Sequence, residues 1–407
     1  MNILFMTLID FDSIEEHNIY TDLLRKFYKE GHSVSIISPT ERRKKQPTHF
    51  IRVSDKLTIL KLQIGNTQKT NIIEKGISTV SIESIFVRGI KKYFANRKFD
   101  LIIYSTPPIT FYNAIAYVKK RDDAKTYLLL KDIFPQNAVD IGMLSKTGIK
   151  GILYRFFRSK EKKLYGISDY IGCMSQANVE YVLNHNSEIK PDRVEVCPNC
   201  IEILDKSISN NERKELRIKY NIPPDKKIFI YGGNLGKPQG IDFLIKCLKS
   251  QKDNERAFFL IVGDGTEYLK IEKYIEQDRP SHVRLMKRLP KEDYDRMVAA
   301  CDVGMIFLDH RFTIPNFPSR LLAYMQAEIP ILAVTDSNTD IGKIIVDGDM
   351  GCWCESNDIE AFTRCVLNID SLNLSEAGQK AYHYMAQNYD VNNAYKIIIK
   401  HFNTEEL

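Results

Sequence analysis

The sequence has few of the features of membrane-spanning, secreted or zinc-binding proteins. No apolar run reaches the roughly 18 residues that suggest a transmembrane helix. The N-terminal stretch MNILFMTLIDFD lacks the basic start of a signal peptide. The closest cysteine pairs, Cys197–Cys200 and Cys352–Cys354, have no histidine near them, so a zinc site is not predicted. We therefore expect the eight cysteines to be reduced thiols, as in a cytoplasmic protein.

Two phosphate-binding signatures are also missing. Neither G-x-G-x-x-G nor G-x-x-x-x-G-K-[ST] occurs, so neither a dinucleotide fold nor a P-loop is indicated. The basic residues are not interleaved with a nucleic-acid-binding signature, and we expect no nucleic-acid partner.

The charge is uneven along the 407 residues. Residues 1–200 carry 31 Lys and Arg against 21 Asp and Glu, a net charge of +10, whereas residues 201–407 carry 27 against 31, a net charge of −4. The sum is the +6 of the whole chain. A basic first half favours an anionic partner, such as the inner surface of a membrane or a lipid phosphate.

Apolar segments of strand length alternate with helical patterns in both halves of the chain. Examples are NILFMTLI, LIIYST and KTYLLL in the first half, and KIFIYGGN, AFFLIVGDG and IPILAVT in the second. Strands that are apolar on both faces predict parallel sheets covered by helices. We predict an α/β fold with two doubly wound domains, 1–200 and 201–389. Ligands of such sheets bind beyond the carboxyl ends of the strands.

Two segments of the second half are candidate anion sites. In YGGNLGKPQGIDFLI, closely spaced glycines allow backbone amides to approach a ligand, and Lys237 adds a cation. In NFPSRLL, Pro318 and Ser319 stand where a helix begins, and Arg320 can pair with a phosphate. The alternatives are a tight strand-to-helix turn and an ordinary capped helix with a surface arginine.

Acidic residues follow several predicted strands. Asp132, in LLLKDIFPQ, can accept a proton from a substrate hydroxyl or can cap a helix. Asp264, in IVGDG, can contact a ligand or cap the next helix, while Gly263 allows a close backbone approach. The D-x-D patterns at residues 10–12 and 347–349 lack an evident third ligand, so we predict no metal site.

The segment 149–166, IKGILYRFFRSKEKKLYG, is predicted to be an amphipathic helix. Its apolar face, which includes Ile149, Ile152 and Phe156, is flanked by basic residues such as Lys150, Arg155 and Arg158. Such a helix either lies on a membrane surface or packs its apolar face into the core.

In its order of motifs, the chain resembles the retaining glycosyltransferases of family four, which have the GT-B fold. The resemblance is strongest in IYGGNLGKPQGIDFLI, FFLIVGDGTE, VRLMKRLPKEDYDRMVAACDVGMIFL and FPSRLLAYMQAEIPILAV. KDIFPQNAVDIGML resembles a subgroup that builds capsule, exopolysaccharide and O-antigen units on a lipid carrier. The resemblance implies two Rossmann-like domains facing each other across a cleft, with the C-terminal helix, 390–407, packing back on the first domain.

The resemblance also implies roles for individual residues. Asp132, Lys237 and Arg320 would act in catalysis, and the acceptor side would comprise Asp10, Glu15, Glu16 and His17. The donor would contact Gly233, Asn234, Gln239, Gly263, Asp264, Arg288, Pro318, Ser319 and Leu321. Asn234 and Gln239 replace the basic pair of the family, and Ala323 and Pro315 stand at the positions of its two glutamates.

The function that the resemblance implies is transfer of a sugar, with retention, from a nucleotide-diphosphate donor. The donor would be a UDP-sugar, the acceptor a lipid-linked saccharide, and no cofactor or metal would be required. The enzyme would be cytoplasmic or peripheral on the inner membrane face. Two alternatives remain open: a catalytically silent assembly or regulatory partner, and a nucleotide-sugar epimerase.

Overall fold

Two parallel sheets, one in each of two units, carry the fold. The computed structural model describes residues 1–66 and 72–402. The first unit takes residues 1–202 together with the chain from residue 391 onward, and the second takes residues 203–390.

The first unit alternates strands and helices from its first residues. Its elements are β1 (Asn2–Met6), α1 (Thr21–Lys29), β2 (Ser33–Glu41), β3 (His49–Arg52), β4 (Leu57–Ile64), α2 (Ile72–Tyr93), β5 (Leu101–Ser105), α3 (Tyr112–Asp122), β6 (Lys125–Leu130), α4 (Gln136–Asp140), α5 (Gly148–Ile167), β7 (Tyr170–Cys173), α6 (Gln176–His185) and β8 (Val194–Val196). The described strands form one sheet in the order β3-β4-β2-β1-β5-β6-β7-β8, parallel except for the β3–β4 pair.

The second unit repeats the alternation. Its elements are α7 (Asn210–Lys219), β9 (Lys227–Asn234), α8 (Ile241–Ser250), β10 (Ala257–Asp264), α9 (Tyr268–Asp278), β11 (Val283–Met286), α10 (Lys291–Ala299), β12 (Val303–Phe307), α11 (Arg320–Gln326), β13 (Ile331–Thr335), α12 (Ile341–Asp347), β14 (Gly351–Glu355), α13 (Ile359–Ser371) and α14 (Leu374–Asn388). Its strands are all parallel, in the order β11-β10-β9-β12-β13-β14.

Both sheets reverse their strand order beside their first strand. In the first unit β1 lies between β2 and β5, and in the second β9 lies between β10 and β12. Successive crossovers leave in opposite directions at such a point, and the loops that follow the two strands separate to form a crevice. The loops after β1, β5, β9 and β12 are therefore the places where the fold favours a ligand.

Helix α15 (Val391–Ile399) lies in the first unit, against α1. The ring centroids of Tyr395 and Phe27 are 5.0 Å apart, and Tyr395 Oη lies 3.0 Å from His32 Nε2. The Val391 amide donates to the Ile201 carbonyl at 3.0 Å. Residues 403–407 of the predicted C-terminal helix lie outside the described residues. Over 1–66 and 72–402, no helix is both long and apolar enough to cross a membrane.

Glycine turns join the carboxyl ends of β9 and β10. The Leu235 amide donates to the Asp264 carbonyl at 2.9 Å, and the Leu235 carbonyl accepts from the Glu267 amide at 2.9 Å. A Cβ on Gly263 would lie 2.0 Å from the Gly233 carbonyl oxygen. The two backbones therefore approach more closely than any side chain would allow.

One disulfide corrects the expectation of reduced thiols throughout. Cys352 in β14 and Cys365 in α13 are bonded, with Cα atoms 5.7 Å apart. The other six cysteines are buried thiols. The sequence did not predict the pair because 13 residues separate its members, and only the packing of α13 on β14 brings them together.

We expect Gly263→Ala to lower the free energy of unfolding by about 1–3 kcal/mol, because the added methyl group meets backbone that cannot rotate away. Gly166→Ala is the matched control, since a Cβ on Gly166 meets open space within a helix. Urea denaturation of both variants measures the effect. A urea midpoint for Gly263→Ala equal to that of the wild type would contradict the close contact between Gly263 and the Gly233 carbonyl.

Counting thiols tests the disulfide. Alkylation of denatured, unreduced protein should label six cysteines, and prior reduction should raise the number to eight. Mass spectrometry of the labelled peptides should place the two protected thiols at Cys352 and Cys365. Eight labelled residues without reduction would show that the pair is not bonded.

Candidate functional site

The loop between β9 and α8 is closed by its own side chains. The Gln239 Oε1 atom accepts from the Gly236 amide at 3.1 Å and from Asn234 Nδ2 at 3.0 Å. Gly233 has a φ of 116°, which favours glycine. Asn234 and Gln239, predicted as donor contacts, therefore shape the loop by pairing with each other.

Arg320, the first residue of α11, directs its guanidinium group towards this loop. The group stacks on the Tyr231 ring, with Cζ 4.4 Å from the centroid. A Cβ on Gly233 would lie 3.6 Å from Arg320 Nη2. Arg320 Nη1 is buried and has no hydrogen-bond partner among the described residues. The structure thus holds a cation with an unused donor beside a glycine backbone, which is an arrangement suited to an anion.

Three tyrosines fix this arrangement. Tyr231 donates its hydroxyl to the Asn234 carbonyl at 2.7 Å. Tyr324 accepts from the Gly232 amide at 3.2 Å and donates to the Met305 carbonyl at 3.1 Å. Tyr294 lies so close to Gly232 that a Cβ there would be 1.7 Å from its Oη. Burial opposes the charge of Arg320, but the phenols of Tyr231 and Tyr324 outweigh it and raise the pKa of the guanidinium group.

Sequence reasoning missed these tyrosines. Tyr231 had a signal, because it directly precedes the glycine pair at the end of β9. The other two have the pattern of ordinary core residues in helices: Tyr294 lies on α10 and Tyr324 on α11. Only the tertiary packing brings them to Gly232.

The loop after β12 is bonded to the loop after β9. The Asp309 amide donates to the Pro238 carbonyl at 3.0 Å. The Asp309 carboxylate accepts two bonds from Arg311, both at 2.8 Å. Burial raises the pKa of Asp309, but its bonds to Arg311 outweigh burial and lower it, so the pair stays charged. These contacts hold together the loops on either side of the crevice beside β9.

Lys237 begins a short 3₁₀ turn, Lys237–Gln239, within the same loop. Its side chain is exposed, and no carboxylate lies within ion-pair distance of it among the described residues. Lys237 is therefore a second cation available at this end of the sheet.

The start of α11 differs from the predicted anion-binding helix end. Ser319 has helical backbone angles and makes no side-chain cap bond. The amides of Leu321 and Leu322 donate to the carbonyls of Pro318 and Ser319 at 3.3 and 3.1 Å. The Leu321 side chain is fully buried. The Arg320 side chain adds a free donor, Nη1, at this helix start.

Two other predicted donor contacts lie at or just beyond the carboxyl ends of the neighbouring strands β10 and β11. Asp264 pairs in register with Asn234, and its Oδ1 accepts from the Gly265 amide at 2.9 Å. It does not cap α9, whose N-cap is Glu267, so the capping alternative is wrong. Arg288 is exposed and follows β11, which is separated from β9 by β10. That places it about 10 Å from β9 across the sheet.

In the first unit, Asp132 follows β6 and faces Asn137. Asn137 Nδ2 lies 2.8 Å from each carboxylate oxygen of Asp132. Thr106, just after β5, donates its hydroxyl to the Asp132 carbonyl at 3.1 Å and accepts from the Lys131 amide at 3.1 Å. Burial raises the pKa of Asp132 to about 6, although bonds from the Ile133 amide and from Asn137 oppose the rise. A carboxyl group in this state can exchange a proton near neutral pH.

The D-x-D pattern after β1 is neutralised by lysines. Lys61, fully buried in β4, lies 2.6 Å from Asp10 Oδ1 and 3.0 Å from Asp12 Oδ1. Lys44 lies 2.7 Å from Asp10 Oδ2. Burial raises the pKa of Asp10, but these lysines outweigh burial and lower it. Asp10 therefore anchors the loop through ion pairs, which leaves it little freedom to bind an acceptor.

The other acceptor-side candidates divide between solvent and an ion-pair cluster. Glu15 is exposed, and Glu16 Oε1 accepts from the Asp12 amide at 3.3 Å. His17 Nδ1 lies 3.1 Å from Asp22 Oδ1 and 3.0 Å from Arg25 Nη2.

The same cluster has the spacing of a metal site. One ligand atom each of His17, Asp22 and Glu202 lies within 4.8 Å of the others. However, Arg25 Nη2 lies 2.5 Å from Asp22 Oδ1 and 3.0 Å from Glu202 Oε2. The guanidinium group thus supplies the positive charge that the carboxylates require.

Known proteins share these features of sequence and fold. Residues 212–390 match the family described as Glycosyl transferases group 1. The chain is 27% identical over 325 residues to the probable glycosyltransferase WbjE of Pseudomonas aeruginosa, covering 79% of this chain and 78% of WbjE. It is 25% identical over 249 residues, 60% of each chain, to WcaI of Escherichia coli (strain K12), whose name assigns it to colanic acid biosynthesis.

Solved structures match over nearly the whole chain. Sucrose-phosphate synthase of Thermosynechococcus elongatus has a TM-score of 0.77 at 14% identity and covers 98% of both chains. Anabaena HepE in complex with UDP has a TM-score of 0.66 at 15% identity, covering 98% of this chain and 99% of HepE. These likenesses confirm the fold that the sequence resemblance implied. The protein has the GT-B fold, and its residues 212–390 match the family of group 1 glycosyl transferases.

Proposed function

We propose that the protein transfers a hexosyl or N-acetylhexosaminyl unit from a UDP-sugar to a lipid-linked saccharide, with retention at the anomeric carbon, in the synthesis of a cell-surface polysaccharide. The observation that carries the proposal is the buried Nη1 of Arg320, which has no partner among the described residues and lies beside the β9 loop. Transfer from a nucleotide sugar places negative charge on the departing diphosphate, and a fixed cation stabilises that charge.

The relatives support the choice of donor and pathway. HepE was solved with UDP, and the name of WcaI refers to an extracellular polysaccharide. The basic first half of the chain fits an acceptor held at the inner face of a membrane. The proposed location is therefore the cytoplasm, with peripheral attachment to that face.

In the proposed reaction, the residues of the second unit bind the donor and Asp132 of the first unit binds the acceptor. Arg320 and Lys237 hold the diphosphate, and no metal is needed in this scheme. The bond between the anomeric carbon and the phosphate oxygen breaks as the acceptor oxygen bonds on the same face. The hydroxyl proton passes to the departing phosphate oxygen. Asp132 orients the acceptor hydroxyl.

Arg320→Ala tests the phosphate role. A charged hydrogen bond contributes about 1.5–3 kcal/mol, so we expect kcat/KM for the donor to fall roughly 10- to 150-fold. Arg320→Lys should retain part of the activity, because it keeps the charge but loses the planar fork. Arg364→Ala is the matched control, since Arg364 is exposed on α13 and its ion-pair distance to Asp358 is 3.9 Å.

Steady-state kinetics with a panel of UDP-sugars, together with thermal shifts, provide the readout. Wild-type kinetics for Arg320→Ala would refute the role. Donor binding without transfer or hydrolysis would favour the silent partner, and interconversion of free UDP-sugars would favour an epimerase.

The pH dependence tests Asp132. If the ionised carboxylate orients the acceptor, kcat should fall as the pH drops below about 6. Asp132→Asn should lose most of the activity, and its remaining kcat should no longer fall in this pH range. A flat wild-type profile between pH 5 and 8 would contradict the assignment.

The stability of the same variant provides an independent check. The folded pKa is raised above the ordinary value of 3.8, so the folded protein binds more protons than the unfolded chain between about pH 4 and 6. The contribution of Asp132 to stability is therefore greatest below pH 4 and is lost as the pH rises through 6. Asp132→Asn should gain stability relative to the wild type between pH 4 and pH 7.

A further inference from the structure

The first turns of α5 expose their apolar side chains. Ile149 is 88% exposed, Ile152 63%, Leu153 45% and Phe156 43%. These four residues, here called the α5 face, follow the i, i+3, i+4, i+7 spacing and share one side of the helix. The alternative that the apolar side packs into the core is therefore wrong for these four residues, although Leu164, in a later turn, is fully buried. A contiguous apolar surface of this kind marks a site of interaction.

The inward side of α5 holds the helix in place through buried contacts. Glu161 is buried, accepts from the Tyr165 hydroxyl at 2.8 Å and pairs with Arg158 at 2.5 Å. The Phe157 ring packs against Phe134 with centroids 5.0 Å apart. Turning the α5 face inward would break the Glu161 contacts, so its exposure is a fixed property of the fold.

The cations around the α5 face are not neutralised by the protein. Lys146, Lys150 and Arg155 are exposed, and none has a carboxylate within ion-pair distance among the described residues. In contrast, three of the four basic residues of the following turns are paired: Arg158 with Glu161, Lys160 with Glu83 and Lys162 with Glu188. Positive charge is therefore left available where the apolar side chains are exposed.

The α5 face also lies at the end of the sheet that carries Asp132. Helix α5 starts beyond the segment that leaves the carboxyl end of β6, and Asp132 is the second residue of that segment. Met143, in the same segment, is 52% exposed. A surface that bound the α5 face would approach the edge where the acceptor is proposed to react.

We infer that the α5 face docks on an anionic phospholipid surface. Ile149, Ile152, Leu153 and Phe156 enter the boundary between headgroups and acyl chains, while Lys146, Lys150 and Arg155 contact lipid phosphates. This charge complementarity favours an anionic bilayer over a second copy of the chain, because a copy would bring the same unpaired cations together. The inference deepens the proposed function, in which a lipid-linked acceptor lies in that bilayer, but docking itself requires neither donor nor turnover.

Vesicle binding by the full-length chain tests the docking. Co-sedimentation should show at least tenfold tighter binding to vesicles of phosphatidylcholine and phosphatidylglycerol than to phosphatidylcholine alone. Lys150→Glu with Arg155→Glu should weaken binding to the anionic vesicles at least tenfold, since each cation near the membrane surface adds to the binding free energy. Ile152→Ser with Phe156→Ser should weaken the binding that persists at high salt.

The control reverses two charges at the opposite edge of the same sheet. Lys98 and Lys125 are exposed and lie at the amino ends of β5 and β6. Lys98→Glu with Lys125→Glu makes the same change in net charge and should leave binding within about twofold of the wild type. An equal loss in both double variants would show attraction by net charge alone and would overturn the assignment of the site.

Two further results would overturn the inference. One is wild-type vesicle binding by the α5 variants. The other is a wild-type dimer in analytical ultracentrifugation that Ile152→Ser with Phe156→Ser converts to a monomer while vesicles bind neither protein. Thermal shifts with UDP-sugars should be unchanged in every α5 variant, so a failure of docking can be told from a failure of the proposed transfer.

Discussion

The candidate site of the second unit depends on one interaction, the stacking of the Arg320 guanidinium group on the Tyr231 ring. Burying a cation is costly unless other groups compensate, and here the Tyr231 ring compensates on one side. The residues around Gly232 are constrained by the space that the stack of Arg320 on Tyr231 requires. Gly232 has no side chain because Tyr294 occupies the space, and Tyr324 must bond the Gly232 amide to hold the strand end in place. The site is therefore preorganised by aromatic packing, which keeps a guanidinium donor available for a ligand.

The first unit compensates partly buried charges at the carboxyl end of its sheet with ion pairs. The loop after β1 has no glycine-rich turn, and the carboxylates of Asp10 and Asp12 are held by Lys61 and Lys44 from neighbouring segments. Asp132 is the exception, because its partner Asn137 is neutral and leaves the carboxyl group able to change its charge. Burial therefore raises the pKa of this carboxyl group, whereas ion pairs lower that of Asp10.

Local sequence patterns predicted the fold and the strand ends that carry the site, because parallel strands and glycine turns leave short-range signals. The patterns NFPSRLL and YGGNLGKPQG predict anion sites, and the structure places Arg320 beside Gly233. What could not be predicted depends on distant neighbours. Lys61 is 51 residues from Asp10, Tyr294 is 62 residues from Gly232, and the members of the disulfide lie in a strand and a helix whose packing has no sequence signature.

The position of α15 also affects the order in which the chain can fold during synthesis. Every residue of the second unit is synthesised before the first residue of α15. The first unit, although synthesised earlier, leaves the α1 surface around Phe27 uncovered until Tyr395 arrives. An apolar surface of this kind, exposed for the time needed to translate almost 200 further residues, is a natural target for chaperones.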